Sequence, residues 1–324
     1  MIPDDDVGRA LPSFAQLPIR QGLPADSSWG VFGDEDELGT LNLLTAGRVV
    51  HASTLVRKGA VFRLDQPIGY AAPPLFERAP VRHTRISRRP FRNDDQLDNF
   101  NTQEGSQWDG LAHVGLPNLE RYYNGVRAEE IGPDSVQKRL GIHRWANRFV
   151  GRGLLLDVCS FREEEGNPVD PLAAEEYTLG DLDSALRRQG CAITPGTILL
   201  VRTGWLAAYL RAAPDVKEAM ASREKLTSCG LEPTREVAAW LWDNRIAAIA
   251  FDCPAAETWP WDMERGPLHY RTLGLLGLPL GEQFNLEELA EDSRGDGVWE
   301  GMLVSTPLYL MGGIASPPNA VFIK

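Results

Sequence analysis

Three compact apolar runs stand out from the polar background of the chain: Gly153-Leu-Leu-Leu-Asp-Val158, Thr197-Ile-Leu-Leu-Val-Arg202 and Ile246-Ala-Ala-Ile-Ala-Phe-Asp252. Each is short, ends in polar residues and does not alternate, which is the pattern of strands buried on both faces. Helical patterns separate them. Thr178-Leu-Gly-Asp181 has the form of a capping box, with Asp in place of Glu, and predicts a helix through Arg188. Between residues 236 and 244, Val237, Trp240 and Leu241 fall at i, i+3 and i+4 and predict an amphipathic helix. Residues 285–291 predict another short helix, and residues 36–56 a short helical region. Residues 60–115 mix short apolar runs with Pro and Gly and predict a β-rich segment; Pro73-Pro74 and Arg89-Pro90 interrupt any helix there. Residues 302–310 and 320–324 alternate like a closing pair of strands.

Residues 1–35 are rich in Pro, Gly and Asp and predict an irregular arm. No linker, repeat or low-complexity block follows, so residues 36–324 are expected to form one α/β domain. A chain of 324 residues buries a core without help from disulfides. The formal net charge of −12, spread along the sequence, argues against nucleic acid or an anionic membrane as the main partner. Met1-Ile-Pro-Asp-Asp-Asp has no basic start followed by an apolar stretch, and no run approaches the roughly 18 apolar residues of a membrane span, so a cytoplasmic protein is expected. Cys159, Cys191, Cys229 and Cys253 are far apart and predict reduced thiols rather than a zinc–thiolate site. The glycine signatures of nucleotide binding are missing, as are GxSxG and HExxH.

Candidate chemistry concentrates in Gln103-Glu-Gly-Ser-Gln-Trp-Asp-Gly-Leu-Ala-His113. Asp109 and His113 are four residues apart, so they share a face of either a helix or a strand. Carboxylate, imidazole and carboxamide are all groups that hold or serve a divalent metal. Alone, the spacing reads as readily as a buried Asp–His hydrogen bond. A second constellation runs from His269 to Glu282 across an apolar loop containing Leu278-Pro279. Glu282 precedes an expected helix and reads equally as an ordinary N-terminal acid favoured by the helix dipole. Trp259 and Trp261, beside acids at the end of an expected strand, line a pocket or fill the core with equal claim.

The chain resembles the cyclase family of metal-dependent hydrolases, which includes bacterial kynurenine formamidases and isatin hydrolases. That family carries a motif of the form HxGTHxDxPxH. Gly105, Asp109 and His113 match it, and Ser106 replaces Thr. Arg152-Gly-Leu-Leu-Leu-Asp157, Thr197-Ile-Leu-Leu-Val-Arg-Thr-Gly-Trp205 and Phe251-Asp-Cys-Pro-Ala-Ala-Glu257 resemble later family segments, as does His269 followed by Gly281-Glu282. Trp29-Gly-Val-Phe-Gly-Asp-Glu-Asp-Glu-Leu-Gly-Thr-Leu-Asn42 and Gln107-Trp-Asp-Gly are similar to one branch of the family.

The resemblance implies a compact, β-rich mixed-sheet core with surrounding helices, as in the kynurenine formamidases. It also implies a homo-oligomer with its site near the subunit contact. For the residues it implies metal ligands at Asp109, His269 and Glu282, with Gln103 and Gln107 where formamidases have two histidines, and a proton-transfer role for His113. A carboxamide is a weaker ligand than imidazole. One divalent metal is therefore expected, Mn or Zn, since a single nitrogen joins the two carboxylates. The implied activity is hydrolysis of an amide, formamide or lactam on a small molecule. Trp108, Trp259 and Trp261 are candidates for stacking on an aromatic or heterocyclic substrate, and His83 is a further candidate for the pocket. A metal-assisted cyclase or lyase, and a non-catalytic binding protein, are the alternative readings. His51 and His143 are expected to be structural or surface residues.

Overall fold

The computed structural model describes residues 11–324, so the expectations for residues 1–10 lie outside the described residues. The strands, in chain order, are β1 (Val61–Arg63), β2 (Arg82–Arg89), β3 (Arg92–Asp98), β4 (Gln107–Asp109), β5 (Val150–Asp157), β6 (Glu176–Tyr177), β7 (Ile198–Arg202), β8 (Gly230–Leu231), β9 (Ala248–Phe251), β10 (Leu280–Glu282), β11 (Glu300–Ser305), β12 (Ala315–Ser316) and β13 (Ala320–Ile323). The α-helices are α1 (Ala46–Ser53), α2 (Val158–Glu164), α3 (Leu179–Gln189), α4 (Trp205–Arg211), α5 (Pro214–Ala221), α6 (Arg235–Asp243) and α7 (Glu287–Asp296).

The three apolar runs form β5, β7 and β9, and Leu154, Leu155, Leu199, Leu200, Ile249 and Phe251 are fully buried. They pair in parallel, and β10 joins them in parallel beside β9. Antiparallel strands extend this quartet on both sides, giving a nine-stranded mixed sheet in the order β1-β13-β11-β5-β7-β9-β10-β4-β12. The alternating tail pairs as expected: β11 runs antiparallel to β13, with Met302 opposite Ile323. The fold is thus the compact, β-rich α/β arrangement that the sequence implied.

The capping signals hold in detail. Asp181 N–H donates to Thr178 Oγ1 at 3.2 Å, and Thr178 N–H donates back to Asp181 Oδ2 at 2.8 Å. Helix α3 then ends at Gly190, whose φ of 66° is the left-handed conformation that glycine adopts without a Cβ clash. In α6, Val237 and Leu241 face the core, but Trp242 is buried and Trp240 only half so. The difference comes from the N-terminal segment. Trp242 Nε1 donates to Pro12 O at 2.9 Å and its ring meets Phe32 edge-on, so the segment covers a face that would otherwise meet water.

Two expectations for the late segment are corrected. The expected loop is confined to residues 277–279, which hold Leu278-Pro279: Tyr270–Leu276 forms a π-helix and Leu280–Glu282 a strand inside the sheet. Glu282 is therefore the last residue of β10, not a helix N-terminal acid, and the helix expected from residue 285 begins at Glu287. The N-terminal segment braces this region, with Trp29 Nε1 donating to Gly274 O at 2.9 Å and Ser28 Oγ to Leu276 O at 2.9 Å. The hairpin of β2 and β3 stands apart from the main sheet and is mostly exposed. The four cysteines are unpaired. Among the described residues no helix is long and apolar enough to cross a membrane.

Candidate metal centre

Strand β4 is three residues long, and its period of two sorts them by role. Gln107 and Asp109 share one face, while Trp108 points to the other. Register with β10 places Glu282 opposite Gln107, Gly281 opposite Trp108 and Leu280 opposite Asp109. The indole of Trp108 needs the space that Gly281 leaves: a Cβ there would sit 2.8 Å from Trp108 Cζ3 and 2.6 Å from Phe284 Cε2. Trp108 stacks on Phe149 at a centroid distance of 4.3 Å and donates Nε1 to Ser305 Oγ at 3.0 Å. It is fully buried, so the structure places it in the core and not among substrate contacts.

On the other face the polar groups converge. Gln107 Nε2 donates to Glu282 Oε2 at 2.7 Å and to Asp109 Oδ1 at 3.2 Å. Gln103 Nε2 donates to Asp109 Oδ1 at 2.9 Å and lies 3.2 Å from His113 Nε2. His113, in the turn after β4, brings Nε2 to 3.9 Å from Asp109 Oδ1. His269, at the start of the π-helix, brings Nε2 to 3.6 Å from Asp109 Oδ2 and 3.3 Å from Glu282 Oε1. Donor atoms of Asp109, His113 and His269 all lie within 4.8 Å of one another. The six polar residues named from the sequence thus meet at one place, and His113 stands close enough to share a cation with Asp109 and His269.

Trp261 also reaches this place, its ring 4.9 Å from that of His269, with Trp259 5.4 Å behind it. His83 does not: it lies on the exposed hairpin, 2.7 Å from Asp95. His143 is buried with its Nδ1 accepting from Gly312 N–H at 3.2 Å, and His51 is exposed on α1.

Two residues with no role assigned from sequence adjoin the cluster. Glu257 holds His269 Nδ1 between its carboxylate oxygens, at 2.8 and 3.0 Å, which orients Nε2 toward Asp109 and Glu282. Arg78 donates to the backbone carbonyl of Gln103. Its only signal was an arginine in a Pro-rich stretch. Asp252, which precedes Glu257 in the same motif, serves structure instead. It accepts from Thr203 N–H at 2.6 Å and Gly204 N–H at 2.9 Å, and burial pushes its carboxyl up to about 6.

Electrostatics favour a cation here. Asp109 Oδ2 and Gln107 Oε1 are buried oxygens with no hydrogen-bond partner among the described residues, a costly state unless a ligand fills the gap. Burial, and then the neighbouring Asp109, push Glu282 up to about 8. Burial works against a charged His269, but Glu257, Asp109 and Glu282 outweigh it and hold the imidazole well above its usual range. Burial lowers His113, with Asp109 opposing, so its ring is neutral near pH 7 and free to accept a proton. A cation binding to the unprotonated Glu282 must displace its proton at neutral pH. The charged His269 must likewise give up its Nε2 proton, so metal affinity is expected to rise by more than about tenfold per pH unit below about pH 8, with proton release seen by calorimetry in buffers of different ionisation enthalpy. The donor set, two carboxylates and imidazole with carboxamides beside them, fits a divalent metal ion. Substituting Glu257→Gln should weaken metal binding by about 10–100-fold, because a partner that fixes a ligating imidazole matters nearly as much as the ligand. A chelator titration compares the two proteins.

A family model described as "Putative cyclase" matches residues 52–258. The chain belongs to the cyclase family. A crystal structure described as a novel cyclase is 31% identical, covers 92% of this cyclase chain and 99% of its own, and superposes with a TM-score of 0.82. Isatin hydrolase A from Labrenzia aggregata, bound to benzyl benzoate, shares the fold at 20% identity, with 87% and 98% of the two chains covered and a TM-score of 0.56. Isatin hydrolase A from Ralstonia solanacearum does so at 18% identity, with 86% and 98% covered and a TM-score of 0.54. No curated protein sequence matches the cyclase chain significantly.

Proposed function

We propose that this cyclase-family chain is a metal-dependent hydrolase that cleaves a C–N bond in an amide, formamide or lactam. The observation that carries the reading is the unsatisfied Asp109 Oδ2, buried where His113, His269 and Glu282 converge. Asp109, His269 and Glu282 would hold one divalent ion, Mn or Zn, with Gln103 and Gln107 beside it as carboxamide neighbours. Such an ion, when bound, acidifies water and polarises a carbonyl.

The chain's own groups supply the rest. Glu257 fixes the His269 tautomer by accepting from Nδ1. The amides of Gln103 and Gln107 donate to Asp109 and keep its Oδ1 in place. His113 is the most exposed of the titratable members, its side chain 26% accessible against 5% for Glu282, 2% for His269 and none for Asp109, so it would be placed to meet substrate. A neutral ring nitrogen of His113 would take a proton from attacking water and return it to the leaving nitrogen. Trp261, with Trp259 behind it, would offer a face to an aromatic or heterocyclic ring. The resemblance of the sequence to isatin hydrolases, one of which is described with benzyl benzoate bound, supports a ring-bearing substrate. In this reading residues 36–324 form a single domain in a cytoplasmic homo-oligomer.

A screen of aryl formamides and lactams in water labelled with ¹⁸O, on protein reconstituted with Mn or Zn, tests the reaction class. One labelled oxygen per product carboxylate is expected. Turnover without label would make the chain a cyclase or lyase in which His113 only relays a proton.

A further inference from the structure

Beside the cluster runs a wall of rings that ends in two guanidinium groups. Trp261 meets His269 at 4.9 Å, Trp259 meets Trp261 at 5.4 Å, and Phe76 meets Trp259 edge-on at 5.2 Å. The guanidinium carbon of Arg78 lies 5.0 Å from the centroid of Phe76. That of Arg223 lies 5.7 Å from the same ring and 5.3 Å from the ring of Trp259. Phe76 itself is held at a φ of 60°, a conformation that is rare for a bulky side chain.

Neither guanidinium has a carboxylate partner within 4.0 Å among the described residues. Other enclosed arginines in this fold differ from Arg78 in this respect: Arg152 pairs with Glu300 at 2.6 Å, Arg162 with Asp181 at 2.9 Å and Arg202 with Asp157 at 2.8 Å. Glu282, Asp109 and Glu104 lie within electrostatic reach of Arg78 but do not pair with it. One bond is formed, from Nη1 to Gln103 O, and it ties Arg78 to the segment that carries the cluster. The remaining donors of Arg78 are available. Arg78, half-buried, and Arg223, exposed beside the same ring, thus present two guanidinium forks, neither in an ion pair, to an anion from outside.

We infer that Arg78 and Arg223 bind a carboxylate carried by the substrate, so that the site takes aryl amides or lactams bearing an anionic group. The inference rests on the hydrolase reading for the word substrate, but the anion site itself is independent of turnover. A planar carboxylate matches the guanidinium fork, and the Trp259–Trp261 wall would hold the attached ring beside His269. Arg78 and Arg223 are specificity-determining residues in this account; they touch no reacting atom.

The test compares two probes of similar size on the metal-loaded full chain, by calorimetry and by quenching of tryptophan emission. Benzenesulfonate is an aryl anion that coordinates divalent ions poorly, and benzamide is neutral. Binding of benzenesulfonate about 10-fold or more tighter is expected. Arg78→Gln should erase that preference while changing benzamide affinity by less than about 2-fold, Arg78→Lys should restore part of it, and Arg223→Gln should reduce it by about 3-fold. Equal affinity for the two probes in the parent chain would overturn the inference. So would an equal loss for both in Arg78→Gln, which would mark Arg78 as a brace for Gln103 only. If no amide or lactam is hydrolysed while the anion preference stands, the hydrolase reading fails and the anion site does not.

Discussion

Asp109→Asn protein is expected to fold, to bind metal at least about 100-fold more weakly than the parent and to lose at least about 10³-fold in turnover. Asp109 is the residue on which His113, His269, Gln103 and Gln107 all converge. Loss of an outer-shell partner already costs about 10–100-fold in affinity, so loss of a direct oxygen donor costs more. Lewis-acid stabilisation of several kcal/mol corresponds, at about 1.4 kcal/mol per tenfold, to the expected fall in rate. The amide keeps the side-chain volume, and the fully buried site loses a charge, so the variant should remain soluble. Elemental analysis of protein prepared without a histidine tag or chelator is the direct measurement. About one equivalent of Mn or Zn in the parent and almost none in Asp109→Asn supports the site. No metal in the parent after reconstitution with both ions overturns it.

His113→Ala separates proton transfer from ligation. Turnover should fall by about 10²–10⁴-fold, the contribution of a general acid–base group, while metal content stays at the parent value. The geometry makes this a sharp test, because His113 stands close enough to Asp109 and His269 to be a third ligand. Loss of metal along with activity would assign it that role. Unchanged activity would remove it from the chemistry altogether. Its lowered pKa, with burial as the main cause, adds a pH signature: activity depending on neutral His113 should rise to its plateau below the usual imidazole range.

The parallel centre of the sheet was legible because β5, β7 and β9 are continuous apolar runs bounded by polar residues. That pattern arises when both faces are covered. Helix α3 was legible through Thr178 and Asp181, whose bonds are local. The stretch from His269 to Glu282 was not. Its Gly and Pro content reads as loop, and β10 has three residues whose pairing with β9 and β4 is purely tertiary. The partnership of Glu257 with His269 joins residues twelve apart through a turn that no period reveals. Trp108 was misplaced for a different reason. The Asp109–His113 spacing suits helix or strand equally, and only a strand sends residue 108 away from 107 and 109. Arg78 was missed because an arginine among prolines carries no pattern until the fold sets it against Gln103.

In β4, adjacent residues answer to different demands. Trp108 is locked between Phe149, Phe284 and Ser305, and any change there is a change to the body of the protein. Gln107 and Asp109 face the candidate metal site instead. Carboxamides can therefore stand where the family resemblance expects imidazoles without disturbing a single core contact of this strand. Descent with altered chemistry needs such an arrangement: a lineage can change what its site holds, step by step, while the architecture that carries the site stays untouched.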